Sequence, residues 1–398
     1  MEDLNKKIFL TLFSAVFATT LGVGLVIPIL PVYAHQSGAG GFAIGMIFGA
    51  FSLSRTVFVP IFGRWSDRKG RRLFLSMGLL SYCLVSVAFT FSRDIYWLIG
   101  VRFFQGITSA MVLPVAFAYV GEIGPPDKEG QIMGLFQMSL YGGLSFGPAL
   151  GGVVKDMLGT DATFLAMGLI CFIGFMLCIT LLPKDETSLI RSRKQGDSYW
   201  EVAKDQTMSA LVIMRICLAG SIGVIWSFLP LLGEMVLHLN SSSIGLMLMA
   251  NVAISAVALY PMGIIADRYD KRIPVVMGTV IAVVALILLI RVTTFWDLIF
   301  ASALHGIALG MITPAMMAVV VIVGREKKAM GTSMGLINMG HSMGMLLGPV
   351  VGGLIMDMYS FSGAFAFSGV TMMAGTVLLM LRMPRLMALP HHKRNMPQ

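Results

Sequence analysis

The run Gly63-Arg64-Trp65-Ser66-Asp67-Arg68-Lys69-Gly70-Arg71-Arg72 returns two hundred residues later as Gly263-Ile264-Ile265-Ala266-Asp267-Arg268-Tyr269-Asp270-Lys271-Arg272. The skeleton Gly-x-x-x-Asp-Arg-x-x-x-Arg survives, although Asp270 and Lys271 stand where Gly70 and Arg71 would be. Two further stretches repeat in the same order. Gln105-Gly106 with Pro114 returns as His305-Gly306 with Pro314. Gly134, Gly143, Gly147-Pro148 and Gly151-Gly152 return as Gly335, Gly344, Gly348-Pro349 and Gly352-Gly353. A solenoid unit has a period of about 20 to 50 residues, so this much longer repeat is a duplicated half. Two similar halves create a site where they meet.

Composition places those halves in a membrane. Hydrophobic residues make up 57% of the 398 positions, charged residues only 12%, and the mean hydropathy is +0.84. Soluble domains carry about 25% charged residues. Apolar runs, each long enough to cross a bilayer core of about 30 Å, are expected near 7–33, 42–62, 73–92, 95–121, 131–154 and 162–182. The second set is expected near 208–233, 242–263, 273–292, 296–322, 331–355 and 361–382. The fold class expected is therefore all-α and integral to the membrane, with twelve transmembrane helices in two pseudo-symmetric six-helix bundles.

The domain expectation follows: an N-terminal bundle over 1–182, a linker over 183–207, a C-terminal bundle over 208–382 and a tail over 383–398. The net charge of +9 would suggest nucleic acid in a soluble chain. Here most Lys and Arg fall in the termini and alternate loops, which is the topology signal of the positive-inside rule. It places both termini in the cytoplasm of a multi-pass cell-membrane protein and excludes a nucleic-acid partner. The apolar stretch after Lys6 and Lys7 is too long for a signal-peptide core and is retained as the first helix. Cys83, Cys171, Cys178 and Cys217 fall within spans without metal-ligand spacing, and read as small buried apolar residues. No enzyme constellation, cofactor loop or metal set is present, so the expectation is a non-enzyme without cofactor or metal.

The loop Gly63, Asp67, Arg68, Gly70, Arg71 combines turn glycines with one acid among bases. That acid can face a helix N-terminus or pair with an arginine. This pattern resembles the loop signature of the major facilitator superfamily. Arg102-x-x-Gln105-Gly106 resembles that superfamily's second motif. Leu21-Gly22 with Pro28 and Pro31, together with the Gly-Pro-x-x-Gly-Gly run at 147–152, is similar to the signatures of its twelve-helix drug:proton antiporter branch. The resemblance spans nearly the whole chain. It implies a secondary transporter that exports small, largely apolar organic compounds in exchange for protons, acting as a monomer among membrane lipids.

The Gly/Pro runs, Gly143, Gly147, Pro148, Gly151 and Gly348, Pro349, Gly352, are read as gating elements. Glycines four apart share a helix face and admit a neighbouring backbone, and proline removes a backbone donor. Arg102 lies inside a span, where a charge costs about 3 kcal/mol, so it should face water, a carboxylate or freed carbonyls. The resemblance implies a role for it in proton coupling with an acid of the first span, yet 7–33 contains no acid. The remaining coupling candidates are Glu234, His305 and His341, since histidine titrates near neutral pH.

Cavity candidates are Arg55, Gln105, Gln137, Tyr141, Trp226, Asn251 and Asn338. The competing reading for the amides is interhelical bonding. For Arg55 and Arg215, each placed about two turns from a cytoplasmic end, it is snorkelling. If both face the cavity with Arg102, the site is electropositive and prefers anionic or neutral amphiphiles. The alternatives are therefore an exporter of an anionic metabolite or lipid-like molecule, an uncoupled facilitator and, remotely, a transport-dead membrane sensor.

Overall fold

A computed structural model describes residues 2–92, 94–123, 129–183, 199–327 and 329–383. Most of the expected linker, at 184–198, and the tail from 384 onward lie outside the described residues. The described chain is helical and forms fourteen elements. In the first half these are α1 (Glu2–Val26), α2 (Ile29–Gln36), α3 (Gly41–Lys69), α4 (Arg71–Thr90), α5 (Ile95–Ile123), α6 (Glu129–Leu158) and α7 (Thr160–Leu181). A short α8 (Tyr199–Lys204) precedes α9 (Gln206–Met235), α10 (Ser241–Arg268), α11 (Arg272–Ile290), α12 (Phe295–Glu326), α13 (Met330–Tyr359) and α14 (Phe361–Arg382).

Eleven described segments are long and apolar enough to cross a membrane, with α1 and α2 counted as one. The 30-residue α6 completes the twelve long helices. The first span is broken at Ile27–Pro28, where proline removes a backbone donor. Its counterpart α9 runs unbroken past Pro230.

The two copies of the quoted loop turn by different means. Between α3 and α4 the chain reverses at Gly70, whose φ of 95° suits a residue without Cβ. Between α10 and α11 the equivalent Asp270 instead accepts the Arg272 amide on its side chain at 3.0 Å. Asp can form such local turns through its carboxylate, which explains how the second copy lost its glycine and kept its corner.

Within the first half, α1 packs on α6 and α7, α3 on α5, and α4 on α5 and α7. The second half repeats this with α9 on α13 and α14, α10 on α12, and α11 on α12 and α14. The equivalence reaches individual atoms. A Cβ on Gly106 would overlap the Phe51 carbonyl, and one on Gly306 the Asn251 carbonyl. In lipid, where apolar burial contributes little between helices, such small-residue contacts supply the packing.

Candidate functional site

Four long helices bring the halves together, α3 against α13 and α6 against α10, with α2 resting on α9. The contacts are backbone on backbone. Gly45 faces the Pro349 carbonyl and Gly245 the Pro148 carbonyl. Gly353 faces the Gly41 carbonyl and Gly152 the Ser241 carbonyl. Only glycine permits so close an approach, because a Cβ at any of the four would overlap the opposing main chain.

Hydrogen bonds between the halves cluster at the same end. Asp357, at the close of α13, accepts the amides of Gly41 at 2.6 Å and Phe42 at 2.8 Å, at the start of α3. Asp156, near the close of α6, accepts the amides of Ser241 at 3.1 Å and Ser242 at 2.7 Å, plus the Ser242 hydroxyl at 2.6 Å. Each carboxylate thus caps a helix N-terminus of the other half, where free N–H groups and the helix dipole favour negative charge. Gln36 of α2 also donates to Glu234 of α9 at 2.7 Å.

Away from this end the same faces part. On α6, Gly152, Pro148 and Ser145 are buried, Tyr141 is half-buried and Gln137 is exposed. On α13, Gly353 and Pro349 are buried, Ser342 is half-buried and Asn338 is exposed. Residues three and four apart share a helix face, so each is one face, sealed at one end and open toward the end that carries α1's start and α14's close. Gly63, Gly134 and Gly335, at that open end, have no neighbour within 4 Å of where a Cβ would stand.

The expected gating residues divide by partner. Gly143, Gly147 and Gly151 face α1 at Thr20–Leu21, Gly24 and Leu25, inside their own half. Gly344 and Gly348 face α9 in the same way, and Gly352 meets Val224 and Phe228. The residues that cross between halves are Pro148 and Pro349, with Gly152 and Gly353. In the quoted loop, Asp67 pairs with Arg71 at 2.9 Å, and Arg71 also bonds Glu122 at the end of α5. Both partners lie in the first half, and Arg68 is exposed.

Arg102 is buried at 4% exposure, with no carboxylate partner among the described residues. Its Nε donates to the Ile47 carbonyl at 3.3 Å and its Nη1 to Gln105 Oε1 at 2.7 Å. The guanidinium carbon stands 4.9 Å and 4.8 Å from the ring centres of Phe48 and Phe51, so aromatic faces supply the remaining attraction. A carbonyl is found, though not a freed one, since Ile47 lies inside α3, well away from Pro60. Gln105 also reaches Met167 at 3.7 Å, which places it in interhelical bonding within the first half.

His305, its counterpart in α12, is fully buried and held on both ring nitrogens. Asn251 Nδ2 donates to the Ser302 carbonyl at 2.8 Å and to His305 Nδ1 at 3.2 Å. The carbonyl fixes the Asn251 amide, so Nδ1 is an acceptor and Nε2 carries the proton to Ser221 Oγ at 2.9 Å. The network therefore assigns one neutral tautomer, and it lies inside the second half, taking Asn251 with it.

His341 differs. It lies on α13 within electrostatic range of Arg215 and Arg55, and its Nδ1 is buried without a hydrogen-bond partner among the described residues. Arg55 stands at the centre of α3, because that helix runs on to Lys69. The sequence expectation of two turns from an end is corrected accordingly: the helix continues through the polar stretch that was read as loop. Tyr141 interacts electrostatically with Arg215. Trp226 is half-buried on α9, one turn beyond Gly223, which faces the Pro349 ring. Sequence reasoning missed the caps made by Asp156 and Asp357. Their recurrence at the repeat offset was the available signal.

The family model of the Major Facilitator Superfamily matches residues 12–240 and 211–397. An uncharacterised MFS-type transporter of Methanocaldococcus jannaschii is 27% identical over 97% of this chain and 100% of its own length. The quinolone resistance protein NorA of Staphylococcus aureus is 24% identical over 95% of this chain and 97% of its own. In fold, the chain is similar to the crystal structure of the nucleoside transporter NupG, with a TM-score of 0.80 at 12% identity over 94% of this chain and 98% of that one.

Proposed function

The chain belongs to the major facilitator superfamily, and on that footing we propose that it exports small, largely apolar organic compounds across the cell membrane by alternating access, in exchange for protons. One observation carries the alternating-access part of this reading: the four facing helices are sealed at one end and part toward the other. A carrier in this state receives cargo from the open side. The positive-inside rule assigns that side to the cytoplasm, and the outward direction is taken from the likeness to the quinolone resistance protein NorA.

In this reading the chain works as a monomer, with residues 1–182 rocking against 208–382. The loop of Gly63, Asp67, Arg68, Gly70 and Arg71 latches the cytoplasmic side when it closes. The likeness to the quinolone resistance protein NorA supports drug-type cargo. His341 is the proton-binding group that this mechanism requires, since its free ring nitrogen lies at the interface while His305 is committed on both sides. A second reading, uncoupled transport, is favoured by the placing of the described acids, which stand at or near helix ends.

The test uses purified protein in liposomes with an imposed pH gradient, recording internal pH while lipophilic compounds are added. Proton entry that accompanies compound efflux, and is lost in His341→Gln, is the expected result. Compound flux without proton movement establishes the second reading. No flux of any compound overturns both.

A further inference from the structure

The middle of the interface collects two arginines, a histidine and a tyrosine from both halves. Arg55 of α3 and Tyr141 of α6 come from the first half, Arg215 of α9 and His341 of α13 from the second. His341 is within electrostatic range of both Arg55 and Arg215, and Tyr141 is within range of Arg215. Gly340 brings α13 close to α9 there, since a Cβ on it would lie 3.1 Å from the Val212 carbonyl and 3.5 Å from the Arg215 Cβ. No carboxylate among the described residues occupies the middle of any of these four helices. This contrasts with Arg102, which is satisfied by a carbonyl, an amide and two rings.

Arg215 and His341, both of the second half, are incompletely satisfied. Arg215 Nε and His341 Nδ1 are both shut from solvent, and neither has a hydrogen-bond partner among the described residues. Buried polar atoms in native proteins are nearly always paired, and an orphan calls for an explanation. Snorkelling does not provide one, because a snorkelling arginine carries its head to water, whereas these heads interact with His341 and Tyr141.

We propose that Arg55, Tyr141, Arg215 and His341 seat the oxyanion head of an amphiphilic organic acid, a carboxylate or sulfonate on an apolar body. The proposal rests on the export reading above and names its cargo. Guanidinium forks match the two oxygens of such a head, and a tyrosine hydroxyl and a ring N–H complete its donors. Met138, Met339 and Met343 are exposed on the same helices, α6 and α13, and methionine suits contact with a variable body. The seat also has a mechanical consequence. Arg55 and Arg215 bring like charges from opposite halves to His341, so the empty carrier is held apart on that side and an anion bridging them draws it closed. Such cargo leaves a negative interior down the membrane potential.

The test compares three naphthalene probes of matched size in phosphatidylcholine liposomes: the sulfonate, the neutral sulfonamide and the trimethylammonium analogue. The sulfonate is expected to move, faster when the receiving side is made positive. Arg55→Gln and Arg215→Gln should each weaken its half-saturation by roughly tenfold to a hundredfold, the scale of a lost charge-assisted hydrogen bond. Arg215→Lys, which keeps the charge and loses the fork, should lie between. Thermal unfolding of the same variants in detergent reports whether they fold.

Transport of the sulfonamide or ammonium probe but not the sulfonate overturns the anion seat and leaves the export reading standing. Unchanged sulfonate half-saturation in both Gln variants does the same. Competition by phosphatidylglycerol that abolishes sulfonate flux would identify a lipid headgroup as the occupant and overturn the cargo assignment. If no probe moves, the export reading itself has failed.

Discussion

Asp156 and Asp357 hold equivalent places in the two copies of the repeat, and each closes on the first turn of a helix from the other half. The pair makes a reciprocal clasp. Because each carboxylate takes at least two amides that otherwise lack helical partners, opening this end exposes four such donors and two charges together. Asp156→Asn and Asp357→Asn keep the shape and remove the charge. Hydrogen bonds to charged groups contribute about 1.5–3 kcal/mol, so each variant should shift the balance roughly tenfold or more toward an open far end. Spin-label distances between the close of α6 and the start of α10 would measure it. Unchanged distances in the double variant would show that the clasp holds nothing.

The crossing glycines should be far less tolerant than those at the open end. Gly45→Ala and Gly245→Ala each press a methyl into an opposing carbonyl, and overpacking of this kind costs about 1–3 kcal/mol. Gly134→Ala and Gly335→Ala meet nothing within 4 Å. The first pair should lose transport and the second should keep it in the state described, as a liposome flux assay would report. Equal loss in both pairs would contradict the seam.

His305→Gln should lower stability and spare proton dependence. It breaks a network in which Ser221, Asn251 and Ser302 are all committed, at a cost of about 1–3 kcal/mol for the polar groups left buried. Thermal unfolding in detergent gives the first quantity and internal-pH recording the second. Loss of proton movement with unchanged stability would make His305 a carrier after all.

Asp205 predicts a pH effect on folding. Partial burial opposes its ionisation, but the amides of Met208 and Thr207 and the Lys327 ammonium, at 3.2 Å, outweigh it and hold the carboxyl below its ordinary value. A carboxyl depressed in the folded state stabilises above its unfolded pKa of about 3.9 and loses that contribution as pH falls through its lower folded value. Asp205→Asn should therefore be less stable than the parent at pH 7, with the gap closing below about pH 4. A gap that widens in acid would reverse the sign.

Much of the fold was legible because the repeat wrote it twice. Glycine spacing in α6 and α13 announced close packing, and the charge-poor runs marked the spans. Partner identity was not legible. Gly151 and Gly152 are neighbours in sequence, yet one meets Leu25 in its own half and the other meets Ser241 in the opposite half, a difference of one helical step of about 100°. Arg55 was misplaced because a polar stretch reads as loop, while α3 continues through it to Lys69. His305 and His341 look alike as letters. Only the positions of Asn251 and Ser221, brought in from two other helices, separate a committed ring from a free one.

Beyond the Asp156, Asp357, Ser242, Gln36 and Glu234 side chains, the seal at the far end is main chain and has little that can rotate. Where main chain lies on main chain at Gly41, Gly45, Gly152, Gly245 and Gly353, no side chain exists to flicker between rotamers and let an ion slip through. Leak then does not depend on local wobble, and the barrier yields only when entire helices travel as rigid bars. A carrier built this way fails shut, and its idle state costs the cell little of its ion gradient.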